Sequence, residues 1–197
     1  MRKTLYTIIA GLLILTGCST QSKTGDKEET PSSKTTSMQV TASTSAETPV
    51  KQQFTMPDTM PDDFDFMVSY GYGDVAKNVI DTYSGTVTKD LIMKGTATAD
   101  LTFTSEERSK IYKMMKDIDI MGPKELSSEN GCAQIPSNTD SWKVTANGHT
   151  ASFSWTDESC TTTKDAKQLL QLRQDIQHIV ALKEAYQALP ETEGGYE

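Results

Sequence analysis

This sequence is short of the residues that most often carry chemistry. It has two histidines, His149 and His178, and neither stands in a nucleophile motif such as G-x-S-x-G. His149 follows Asn147-Gly148 at a turn. His178 falls opposite the apolar stripe of its helix when ~100° is counted per residue, so both are read as exposed surface residues. Three cysteines, with no Cys-x-x-Cys pair and no histidine at ligand spacing, give no basis for a metal site. Gly71 and Gly73 in "GYGD" lack the third glycine and the following helix of a dinucleotide loop. No catalytic, cofactor-binding or metal residues are therefore assigned, and no cofactor is expected.

Positive charge is also scarce. Nineteen Lys and Arg stand against 27 Asp and Glu, a net charge of −8. Such a chain is a poor partner for nucleic acid and for electrostatic attachment to anionic lipid. The longest apolar run, Leu5 to Leu15, falls short of the ~20 residues that a spanning helix needs.

That short run is nonetheless informative. Arg2 and Lys3 precede it, the small residues Thr16 and Gly17 close it, and Cys18 follows. A basic head, about a dozen apolar residues and small residues at the end describe an export signal. The string Leu15-Thr16-Gly17-Cys18 resembles the lipobox of bacterial lipoproteins. The resemblance implies cleavage before Cys18, diacylglycerol on its thiol, often an acyl chain on the new amino terminus, and a place on the outer face of the cell membrane. Two acyl chains hold firmly where one binds marginally. The alternative is an ordinary secretory signal with an accidental cysteine. Loss of residues 1–17 removes Arg2 and Lys3 and no acid, which takes the charge from −8 to −10.

Residues 18–57 are read as a lipid-anchored stalk. From Ser19 to Val50 about half the residues are Ser or Thr, with no apolar periodicity. Such a segment cannot bury enough surface to offset the entropy of ordering. At ~5–6 Å × √n, a stalk of this length spans on the order of 30–35 Å.

Residues 58–197 are expected to form a single domain of ordinary size. Phe64, Phe66, Val68, Tyr70 and Tyr72 alternate with other residues, a two-residue period that predicts a strand. "KNVIDTYSGTVTKDLI" continues in strand-forming residues broken by a turn at Ser84-Gly85, and "GTATADLTFT" reads as a further strand. Thr104 and Glu107 form a capping box before a helix with Ile111, Met114, Met115 and Ile118 on one side. Asn147-Gly148, suited to a type I′ turn, separates Trp142, Val144 and Ala146 from Ala151, Phe153 and Trp155. A last helix is predicted over 164–189, stopped by Pro190, with Leu169, Leu172, Ile176, Ile179 and Val180 as its stripe. The fold class is α+β: an antiparallel sheet with two helices packed on one face.

With Cys18 assigned to lipid, Cys132 and Cys160 remain, an even pair outside the reducing cytoplasm, and are expected to form a disulfide. The alternative is two free thiols. Asp62, Asp63 and Asp65 could gather around Ca²⁺, but their spacing does not match a D-x-[DN]-x-[DN]-G loop, and a solvated strand face accounts for them equally. "LPETEGG" resembles the wall-sorting signal LP-x-TG, yet Glu193 replaces the glycine and no apolar span follows. The body, notably "IDTYSGTVTKDL" and "TFTSEERSKIYKMM", is similar to small Gram-positive lipoproteins of unassigned activity.

The reading is thus a membrane-anchored, extracytoplasmic lipoprotein. Its domain is expected to be a non-enzymatic binding or interaction module for an unidentified protein or envelope ligand. The alternatives are a small envelope enzyme using carboxylate or tyrosine groups, and a structural or envelope-stress protein. The Asn147-Gly148 tip with His149 is a candidate recognition point, since loops on rigid scaffolds often carry recognition.

Overall fold

The computed structural model describes residues 54–127 and 131–196, so Cys18, the signal segment and nearly all of the stalk lie outside the described residues. Six strands make one antiparallel sheet. They are β1 (Asp65–Tyr72), β2 (Asn78–Asp81), β3 (Thr86–Asp90), β4 (Thr96–Asp100), β5 (Asn138–Ala146) and β6 (His149–Thr156). The spatial order is β4-β3-β2-β1-β5-β6. Only the β1–β5 neighbours are not consecutive, because helix α1 (Ser105–Asp117) intervenes in the chain.

Register follows from the period-two pattern. Val68 faces Ile80 on one side and Trp142 on the other, Ile80 faces Val87, and Trp142 faces Phe153. A slip of one residue would move this whole apolar row to the other face. Helix α1 and helix α2 (Lys164–Ala181) cover that face: Ile111, Met115, Leu169, Leu172 and Ile176 join Phe66, Val68, Ile80, Val87, Trp142 and Val144 in one core. The opposite face is dressed in hydroxyls, with Thr88 bonded to Thr98 and Thr145 to Thr150 across neighbouring strands. The α+β reading is therefore correct, sheet and helices alike.

Local signals act where expected. The Thr104 side chain accepts from the Glu107 amide at 3.2 Å, and the Glu107 carboxylate accepts from the Thr104 amide at 2.7 Å. Asn147 and Gly148 both take positive φ, 51° and 74°, as the type I′ turn requires.

Two boundaries differ from the sequence reading. The last helix is not continuous to residue 189. It ends at Ala181, Lys183 turns to an extended backbone at ψ 132°, and a short α3 (Glu184–Gln187) follows. Neither glycine nor proline marks this break. Lys183 swings instead toward α1, where its ammonium meets the Glu107 carboxylate and lies over the Phe103 ring. The packed domain also begins before residue 58. Met56 is buried in the core, and the Tyr112 hydroxyl donates to the Pro57 carbonyl at 2.7 Å. Residues 54–57, read as the end of the stalk, therefore belong to the fold.

Candidate functional site

The two ends of the sheet differ in character. At one end lies the β5–β6 turn. Its backbone N–H groups at Asn147 and Gly148 both donate to the Asp63 carboxylate, at 2.7 and 2.6 Å. These bonds, first that from Gly148, hold the Asp63 carboxyl below the usual carboxylate range. Beside them the ring of Phe54 stacks on His149, 4.2 Å between centroids. The tip expected to project freely is thus met by the first described residues of the chain. His149 is exposed at its edge, and His178 is exposed on α2, as read.

Asp65 points elsewhere. It accepts from the Thr82 hydroxyl at 2.8 Å and lies 3.6 Å from Arg108, while Asp62 is exposed. The three acids are thus divided between a turn cap, a side-chain pair and solvent. Among the described residues no three His, Cys, Asp or Glu stand together as a metal would need.

The other end of the sheet gathers the β1–β2 and β3–β4 connections, the segment before β5, the segment after β6 and the C-terminal residues. Five of the seven large apolar side chains exposed among the described residues fall here: Tyr72, Val75, Met93, Ile135 and Tyr196. Ile135 is 89 % exposed, Met93 76 % and Val75 65 %.

Specific contacts make this a built surface. Tyr72 and Tyr196 stack at 4.9 Å, the Tyr196 hydroxyl donates to the buried Asp90 carboxylate, and Lys77 donates to the same hydroxyl at 3.2 Å. The C-terminal residues are strapped to β3–β4, where the Met93 amide donates to the Glu193 carbonyl at 3.2 Å and the Glu193 amide to the Leu91 carbonyl at 3.4 Å. Gly194, at φ +93°, approaches Met93 so closely that an added Cβ would sit 2.8 Å from its side chain. "LPETEGG" is therefore a strap across the β3–β4 turn.

Ile135 is presented by a braced loop. Cys132 and Cys160 form a disulfide, with 5.5 Å between their α-carbons. Ala133 bridges Ser159, and the Gln134 amide donates to the Glu158 carbonyl at 2.7 Å. The Gln134 side chain donates to the Asp157 carbonyl at 2.7 Å, and the Asn138 amide to the Asp157 carboxylate at 2.6 Å. A further bond, Gly73 amide to Ser137 carbonyl at 2.9 Å, ties this loop to the turn that carries Val75. The disulfide pins the hairpin ends as the cysteine count implies, and the surface it frames was not anticipated. Its sequence signal is "AQIPS", an isoleucine set among turn residues.

The remaining polar cluster is inside the fold. Asp140, 2 % exposed, accepts from the Arg173 guanidinium at 2.7 Å, and Arg173 also donates to Gln177 at 2.7 Å and lies over the Tyr70 ring. Burial pushes the Asp140 carboxyl up, against the pull of Arg173. Burial, aided by Tyr186, pushes the Tyr70 phenol up to about 12. These groups join α2 to the sheet.

Comparison with protein families, curated proteins and solved structures finds no match for this chain.

Proposed function

We propose that this chain is a lipid-anchored, extracytoplasmic interaction module, tethered through Cys18 and contacting a folded protein of the envelope through the Ile135–Val75 end of its sheet. One observation carries the reading. Five of the seven large apolar side chains exposed among the described residues lie at the sheet end opposite Phe54, the first described residue. Phe54 stands at the β5–β6 turn. The nine residues of β5, at ~3.4 Å each, separate that turn from Ile135 by roughly 30 Å. The apolar end therefore lies far from Phe54. Contiguous exposed apolar surface on a small protein marks contact sites. A convex knob, Ile135 on a disulfide-braced loop, suits an apolar pocket on a folded partner better than a small molecule, which prefers a concave site.

The experiment is photo-crosslinking on intact cells from residue 135, compared with the equally apolar but unrelated position 182 on the helix side. One partner band from residue 135 is expected, lost in Val75→Asp and absent from position 182. Equal capture from both positions, or a band indifferent to Val75→Asp, overturns the site. Cys18→Ala should release the protein from the membrane fraction or leave its precursor unprocessed; full retention of a processed chain overturns the anchor.

A further inference from the structure

A second feature lies along the outer edge of β6 and is independent of the Ile135 end. Edge strands are ordinarily blunted by lysine, proline, bulges or short length, because their unpaired backbone groups attract other strands. β6 has eight residues, His149–Thr156, and contains no lysine, proline or acid. Its register fixes which backbone groups are spare. Ala146 and His149 close the two-residue turn as a hydrogen-bonded pair, and bonded pairs then recur at every second residue, at Val144–Ala151, Trp142–Phe153 and Asp140–Trp155. The N–H and C=O groups of Thr150, Ser152 and Ser154 consequently point outward. Among the described residues no backbone group outside the sheet bonds to them.

Beside this edge runs an apolar groove of about 520 Å³, within the ~300–1,000 Å³ range of ligand clefts. Its walls are Phe54, Ile120, Met121, Pro123 and Leu126 with the charged Lys124 on one side and Phe153 of β6 on the other.

We infer that the β6 edge and its groove take an extended peptide segment of a partner protein as a seventh strand. Strand addition of this kind draws affinity from main-chain bonds and selectivity from pockets for alternate side chains. Alternate residues of the guest enter the groove and are apolar. The residues between them lie over the hydroxyl face of Thr150, Ser152 and Ser154 and are small and polar. The acid excess of the chain, −8, disfavours a second copy of the same chain as the occupant.

The test is amide hydrogen exchange on the mature chain bearing Cys18→Ser. It is measured alone and with a library of amidated octapeptides carrying Val, Ile, Leu or Phe at every second position and Thr, Ser or Lys between. The selected peptide is expected to slow exchange at Thr150, Ser152 and Ser154 at least tenfold, while Ala151 and Phe153 are slow already. Ser152→Pro removes an outward donor, a substitution that edge strands tolerate, and should abolish the effect. Leu126→Glu, which leaves the strand untouched and charges the groove wall, should weaken binding at least tenfold. The inference fails if no library member slows those three amides, or if both variants bind as before. It fails equally if the amides are protected without peptide and lose protection on dilution, which makes a second copy the occupant. Loss of the Ile135 crosslink leaves this result untouched, and the converse holds.

Discussion

Phe54 stacks on His149 with ring centroids 4.2 Å apart, which joins the first described residues of the chain to the turn between β5 and β6. With Asp63 bonded to the same turn through both its N–H groups, that end of the sheet is a structural joint. The Asn147-Gly148 tip is thus tied into the fold by Phe54 and Asp63.

The Cys132–Cys160 bridge closes a separation of 28 residues. Chain entropy then assigns it about 3.6 kcal/mol, equivalent to a fall on the order of 10 °C in Tm when Cys160→Ser removes it. Far-ultraviolet circular dichroism should stay the same, because both cysteines lie outside the strands. A non-reduced digest should contain the linked peptides. An unchanged Tm in the variant would remove the bridge from the stability account.

Asp140 and Arg173 form a pair with little exposure, 2 % and 13 % at their side chains. Arg173→Met leaves the carboxylate unpaired inside the fold and should cost about 3–5 kcal/mol in denaturant unfolding. The sign of the pH effect follows from the direction of the shift. Burial already raises the Asp140 carboxyl in the folded state, and losing Arg173 raises it further. The folded variant therefore binds a proton more readily than its unfolded chain, so its deficit shrinks as pH falls and is largest at neutral pH. Adding Asp140→Leu should recover most of the loss. A deficit that is flat with pH would contradict the buried pair.

Asp63 behaves in the opposite sense. The Gly148 amide, and then that of Asn147, lower its carboxyl, so the stabilisation it gives is present above the ordinary carboxylate value of ~3.9 and disappears as pH falls through its own lower one. Asp63→Asn should speed amide exchange at Asn147 and Gly148 at pH 6, with the difference from wild type fading in acid. Identical exchange at pH 6 would mean that the turn needs no cap.

What was legible in the sequence was local. Thr104 and Glu107 stand three residues apart, so the capping box needs no distant partner. Asn147-Gly148 sets its own backbone angles. Alternation from Phe64 to Tyr70 marks one dry face whatever the neighbouring strands are, although Tyr72, read as part of it, is exposed at the strand end. What was hidden depended on groups far away in the chain. The last helix breaks at Lys183, whose ammonium meets Glu107, 76 residues earlier, and no propensity at 182–183 announces this. Asp140 reads as one polar residue in a strand until Arg173, 33 positions on, is folded against it.

The sequence by itself determined the α+β class, the type I′ turn, the helix cap and the cysteine pair, because period, turn chemistry and cap spacing act over a few residues and a bridge needs only two thiols left to pair. Only the tertiary structure decided that five exposed apolar side chains lie at one sheet end, and that Phe54, the first described residue, stands at the other. It also decided that β6 ends the sheet with a groove beside its free edge. The physical reason is strand order. The β1–β5 pairing brings together residues some 70 positions apart, and that pairing fixes which loops share an end and which strand is left without a neighbour.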